Sequence, residues 1–319
     1  MDLHLLLDNL TNPALLFFFL GIIAVQLKSD LEIPPNSSKF ISLYLLLSIG
    51  FKGGQELAHS DLNLEILWSL LFGIALALIV PIYSYFILRR KFSVANSGAI
   101  AAAYGSVSAV TFVTAISFLE INKIPFSGHM VAVMALMEAP SIIIGLLLIS
   151  IYDKNNPVKF SVGKVLKHAL TNGSVLLILG SLVVGFLASE EQAQGIKPFT
   201  TDLFKGFLAV FLLDMGITSG KKLSSFLKKG WFALVFAIVI PIINGVIVAF
   251  VSAAFTESVG NRLLFAILAA SASYIAVPAA MRLAAPKANP SLYLPMALAI
   301  TFPFNITLGM PLYLFIIQL

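Results

Sequence analysis

Ten apolar runs succeed one another along the chain, at about 13–27, 38–57, 64–88, 94–119, 127–151, 170–189, 199–219, 230–254, 261–284 and 291–317. Each is roughly 17–25 residues long, the length a crossing helix needs in a hydrocarbon core of ~30 Å. At that depth every backbone N–H and C=O must find its partner inside the protein, so runs of this length are helices. Charged residues make up only 11% of the 319, against about 25% in a soluble domain. The chain therefore reads as an integral membrane protein. The second run is the least clean, because Lys52-Gly-Gly-Gln-Glu56 makes its far end polar. Met1–Asn12 lacks the basic segment of a cleavable signal peptide, so the first run is expected to be retained. Cysteine is absent, which removes disulfide and thiol chemistry.

The halves repeat. Leu47–Leu57 aligns with Leu213–Leu223 without a gap, Ile79–Ile82 with Val239–Ile242, and Ser106–Ser108 with Ser271–Ser273. Five spans per repeat is an odd number, so the second repeat enters the membrane from the opposite side. The expected fold is an all-α membrane protein of ten transmembrane helices in two inverted five-helix repeats. Residues 1–152 form the first repeat, 153–169 a cytoplasmic linker, and 170–319 the second repeat. Lys52, Lys123, Lys197, Lys205 and Arg262 fall on the side shared with the termini. The remaining 15 of the 20 Lys and Arg residues fall on the other side. Positive charge marks the cytoplasmic face, so both termini are expected outside the cytoplasm, in the inner (plasma) membrane. The basic excess belongs to this topology and not to nucleic-acid binding.

Ser93–Glu120 is long enough to cross a bilayer, yet its middle is small and hydroxylic: Gly105, Ser106, Ser108, Ala109 and Thr111. Such a run suits a helix buried among others and broken at Gly105–Ser108. Broken backbone at membrane depth is tolerated only inside protein or beside a water-filled cavity. A second such stretch is Leu268–Met281, where Pro278 removes one helical hydrogen bond. Interruptions at matching positions in two halves point to a transporter's binding site. Half-helix N-termini attract an anion. Unwound carbonyls and Ser or Thr hydroxyls offer oxygen ligands to a small hard cation such as sodium. Ser106, Ser108, Thr111, Ser271 and Ser273 are the candidate ligands, although small hydroxyl residues also serve plain helix packing.

Ionisable groups inside a membrane are costly and point to function. Glu138 lies mid-span in Met134–Ser141, and the corresponding region of the other half holds Pro303 and Asn305. Asp214 reads as a cation ligand or as an interfacial acid balancing Lys221 or Lys222, and Glu120 as an interfacial residue. Ser108, Thr111, Glu138 and Ser273 make the candidate sodium set. Enzyme signals are weak. The four histidines are scattered, no His-Glu-x-x-His or Gly-x-Ser-x-Gly occurs, and Asp214 lacks a second aspartate for a protease dyad.

Three blocks carry a resemblance: Asn96–Gly145, Ala269–Gly309 with its Lys287-Ala-Asn-Pro-Ser291 turn, and Ile49-Gly-Phe-Lys-Gly-Gly54. Over nearly the whole chain they resemble the sodium-dependent bicarbonate transporter family, best known from cyanobacteria. The resemblance implies a homotrimer, each protomer with a scaffold and a mobile core that carries sodium and bicarbonate between two crossing broken helices. It also implies a small PII-like regulator on the cytoplasmic side, and no cofactor beyond sodium as coupling ion. The chain departs from the cyanobacterial pattern at Tyr274, Val277, Glu138 and Val110, where that pattern has an acid, a small residue, Asp and a hydroxyl residue. The Tyr152–Lys167 loop is also shorter. The expected function is sodium-coupled uptake of a small anion, bicarbonate first. A monocarboxylate carrier, or a channel or sensor without coupled transport, are the other readings.

Overall fold

The structure is a computed structural model that describes residues 3–59, 63–153, 161–226 and 230–319. Segments 154–160 and 227–229, which carry Lys154, Lys159, Lys228 and Lys229 of the charge count, lie outside the described residues. Helices account for 83% of the described residues, among which no strand occurs.

The helices are α1 (Leu3–Leu10), α2 (Pro13–Gln26), α3 (Pro35–Ala58), α4 (Leu64–Leu88), α5 (Val94–Gly105), α6 (Ala109–Ile121) and α7 (His129–Tyr152). There follow α8 (Val162–Leu170), α9 (Gly173–Leu187), α10 (Glu190–Lys197), α11 (Phe204–Phe226), α12 (Trp231–Val251), α13 (Val259–Ala270) and α14 (Ala276–Ala284). The last stretch alternates α15 (Pro290–Pro295), α16 (Phe302–Phe304) and α17 (Met310–Ile317) with π-helical turns at Met296–Thr301 and Asn305–Gly309. Helix starts follow local chemistry. Asn12, Asn63, Ser93, Asn172, Ser258 and Asn289 each cap a helix by accepting a backbone N–H with the side chain, satisfying one of the donors a helix start leaves unpaired.

Six helical stretches are long and apolar enough to cross a membrane: Leu64–Leu88, Val94–Ile121, His129–Tyr152, Glu190–Leu223, Trp231–Ala254 and Pro290–Ile317. Pro13–Gln26, Gly173–Leu187 and Val259–Ala270 are shorter apolar helices. Helix α3 has the length, but Lys39, Lys52 and Glu56 keep it out of the apolar group. The expected 153–169 linker is partly helical, because α8 occupies Val162–Leu170.

Burial separates the helices by role. Only 28% of the most apolar stretch of Leu64–Leu88 is buried, against 89% for Val94–Ile121. The second stretch is enclosed by protein, and its small residues are what permit that.

Two seams are backbone against backbone. Helix α3 packs on α9, and α11 on α2. A Cβ on Gly216 would stand 2.0 Å from the Phe18 carbonyl oxygen, and one on Gly54 2.1 Å from that of Leu182, so neither position accepts a side chain as packed. Helices α4, α5, α7, α12 and α13 pack together around the two interrupted stretches. Two apolar clusters fill the interior, one around α6, α13 and the first half of α7, the other around α5, the second half of α7 and α14. The interruptions lie between them.

Candidate functional site

Helix α5 ends at Gly105, and the backbone N–H of Ser106 turns back to the Ala102 carbonyl at 3.0 Å. Gly105 lies so close to α4 that a Cβ there would meet Cγ of Pro81 at 2.3 Å. A new helix starts because the Ser108 hydroxyl accepts from the Thr111 N–H at 3.2 Å, as an N-cap does. The second interruption runs through residues 271–275. Helix α13 stops at Ala270, and Ser273 Oγ accepts from the Val277 N–H at 3.4 Å as α14 begins.

The two interruptions bond to each other. The Ser108 N–H donates to Ser271 Oγ at 3.0 Å, and Ser271 Oγ donates to the Leu268 carbonyl at 3.0 Å. The Ser273 N–H donates to the Ala103 carbonyl at 2.8 Å. Side chains from neighbouring helices bond three of the carbonyls at these helix ends. Ser141 Oγ donates to the Ala102 carbonyl at 2.9 Å, Asn244 Nδ2 to Ala269 at 3.0 Å, and Asn305 Nδ2 to Ala270 at 2.8 Å. The Tyr83 hydroxyl in turn donates to Asn244 Oδ1, and Tyr104 and Thr301 share a hydrogen bond of 2.7 Å that ties α5 to the last stretch.

The N-terminal ends of α6 and α14 face a cavity of about 30 Å³. Its walls include Ser108, Ala109 and Val110 from one start, Ser273, Tyr274, Ile275 and Ala276 from the other, and Glu138 from α7. The first N–H groups of a helix have no partner within it, and each N-terminus carries roughly half a positive charge. Against them stands a carboxyl whose Oε1 is buried with no hydrogen-bond partner. Ser106 Oγ is also buried without a partner.

A larger cavity, about 730 Å³, shares walls with the small one at Ser42, Asn172, Ser174, Tyr274 and Ile275. It opens at the end where Glu32, Lys39 and Lys221 lie. Buried Asp214 lines it and accepts a hydrogen bond from Ser38 Oγ.

The structure thus gathers Ser108, Glu138 and Ser273 on one cavity, with Ser271 bonded directly behind it. Thr111 sits one turn into α6 and Asn305 behind Ala270. Pro278 lies in the first turn of α14, downstream of the interruption; the bond it cannot make is the one that would carry the helix back to Tyr274. Asp214 stands apart, on the larger cavity. Ser42, Asn172 and Ser174 escaped the sequence reading. Asn172 and Ser174 sit at a helix start, where polar residues are expected without any function. Glu120, read as interfacial, pairs with Lys52 of α3. Among the described residues no three His, Asp or Glu side chains group as metal ligands.

The family model of the Na+-dependent bicarbonate transporter superfamily matches residues 13–318, nearly the whole chain. No curated protein matches it.

Proposed function

Because the chain belongs to the Na+-dependent bicarbonate transporter superfamily, a family of multi-pass transporters and not of enzymes, we propose that it couples inward sodium movement to uptake of one small anion, bicarbonate foremost. The observation that carries this reading is the convergence of two helix N-termini and the Glu138 carboxyl on one small cavity. The N-termini hold the anion through unpaired N–H groups. Ser108 Oγ, Ser273 Oγ and Glu138, with Thr111 a turn away, are hard oxygen donors suited to sodium.

Coupling follows from charge. An ionised Glu138 beside the anion is repulsive, and more so where water is scarce. A sodium ion between them removes that repulsion, so each ligand favours the other, a reciprocal coupling of the usual kind.

An inverted pair of five-helix repeats, ten spans in all, is supported by the seams. Leu47–Leu57 lies on α3 and Leu213–Leu223 on α11. Each of these helices packs on the first span of the other half, α9 and α2 respectively. The four form a frame, and the helices around the interruptions form a core that moves against it. With Lys39 and Lys221 on the cytoplasmic side by the charge count, the larger cavity opens inward, and both termini lie outside the cytoplasm.

Uptake of labelled bicarbonate into proteoliposomes, with and without a sodium gradient, tests the reading. Saturable uptake that needs the gradient is expected. Equal uptake without sodium would point to a channel, and uptake only of a monocarboxylate would replace the substrate.

A further inference from the structure

Among the described residues Tyr274 is the one aromatic side chain on the small cavity, and it also lines the large one. It belongs to the non-helical segment between α13 and α14. Its ring packs against both apolar clusters and stands edge-on to Phe302, centroids 6.3 Å apart. Its hydroxyl donates to Sδ of Met215 on α11 at 3.8 Å, a weak acceptor, and also interacts with the Ser108 side chain. Packing on both clusters and these hydroxyl contacts together hold the ring where it is. With Ser42, Asn172, Ser174 and Ile275, Tyr274 lines both the cavity of about 30 Å³ beside the helix N-termini and the one of about 730 Å³, and its ring is the bulkiest of these shared walls.

We infer that Tyr274 sets the upper size of the anion this site accepts. The inference rests on the proposed function and adds to it a determinant of selectivity. The N–H groups of α6 and α14 recognise negative charge without regard to what lies behind it, so they do not discriminate among small anions. Discrimination falls to the rest of the wall, of which the Tyr274 ring is the bulkiest part. A planar anion of a few heavy atoms fits between ring and N-termini. One with an added alkyl group must displace the ring from two apolar clusters at once. With the ring gone the two cavities join, and the limit goes with it.

The test uses formate, acetate and propionate as competitors of sodium-dependent bicarbonate uptake in proteoliposomes, and as stabilisers of the purified protein in thermal unfolding. In the wild type each added carbon is expected to weaken inhibition about tenfold or more, the discrimination a tight pocket gives per methylene. Tyr274→Phe keeps the ring and should keep the gradation. Tyr274→Ala should flatten the series to within about threefold, well under that per-methylene discrimination. An undiminished gradation in Tyr274→Ala would overturn the inference, as would equal flattening in Tyr274→Phe, which would assign the effect to the hydroxyl. Should Tyr274→Ala fail to fold, Tyr274→Leu replaces it: a partly flattened series supports the inference and an unchanged one overturns it. A wild type that neither takes up bicarbonate with sodium nor gains stability from any of these anions would overturn the functional reading and this inference with it. Normal wild-type uptake with an unchanged series in the variants overturns the inference alone.

Discussion

The backbone N–H of Ser108 donates to Ser271 Oγ at 3.0 Å, and the same hydroxyl donates onward to the Leu268 carbonyl. One buried side chain thus fixes the start of one half-helix against the end of another. Ser271→Ala leaves the Ser108 N–H without its partner, a loss of about 1–3 kcal/mol for a buried donor. We expect a melting temperature several degrees lower in detergent, with Ser271→Thr closer to wild type. An unchanged melting temperature for Ser271→Ala would mean that the link contributes nothing.

Ser108 caps α6, and Ser273 Oγ accepts from the Val277 N–H in the first turn of α14. Ser108→Ala and Ser273→Ala should each weaken sodium or anion binding by roughly ten- to hundredfold, the cost of one hydrogen bond to a charged group. Residues that share a ligand couple, so the double variant should depart from the sum of the singles by ~0.5 kcal/mol or more. Calorimetric sodium titration of the three variants measures this. Strict additivity, with binding unaltered, would leave both serines as structural supports of the helix starts alone.

Glu138→Gln retains shape and removes the charge. Sodium-dependent uptake should fall to near background while the protein stays folded, and anion binding should no longer respond to sodium. Uptake that keeps its full sodium dependence would reduce Glu138 to a packing residue.

Lys52 of α3 pairs with Glu120 of α6, and the Lys52 ammonium lies 5.8 Å from the centre of the Phe204 ring. At roughly 1.5 Å per residue Lys52 lies about 20 Å along α3 from Lys39, at the end away from the mouth of the large cavity. The pair joins α3 to α6. Its side chains are 29% and 25% exposed, so it is worth no more than about 1 kcal/mol in stability. Because the chain has no cysteine, Lys52→Cys with Glu120→Cys gives a clean site for a bismaleimide bridge. Bridging should arrest uptake while each single variant, treated alike, continues. Undiminished uptake after bridging would show that the two helix groups need not part at this end.

Gly216→Ala forces a methyl group into the Phe18 carbonyl. Overpacking of this kind costs about 1–3 kcal/mol. Gly206→Ala, with no atom within 4 Å of the added carbon, should be neutral or mildly stabilising. Equal melting temperatures for the two would refute the seam.

The sites of interruption could be read from the sequence because the physics there is local. Gly105 and Ser106–Ser108 cannot be held by lipid, and Pro278 cannot extend its helix backward. Glu138 was legible for a similar reason, as a charge with no cheap place in a membrane. What escaped depends on distant partners. That Ser271 serves the Ser108 N–H, or that Asn244 and Asn305 serve the carbonyls of Ala269 and Ala270, follows only once α12, α13 and the last stretch lie side by side. Glu120 looked interfacial because nothing in its own span reveals Lys52. The last stretch reads as one apolar span, yet Pro295, Pro303 and Pro311 punctuate it, and its turns at Met296–Thr301 and Asn305–Gly309 widen to π geometry. Proline spacing signals an irregularity there without saying which kind.

The glycine seam between α2 and α11 joins residues separated by more than half of the chain. Synthesis at about 5–20 residues per second places Gly216 in the bilayer roughly ten to forty seconds after Gly21. For that interval the bare backbone of α2 has lipid where its partner will be. The same holds, more briefly, for α3 while it awaits α9. These two seams are therefore completed late in biogenesis, and their early helices must outlast the wait on their own apolar length.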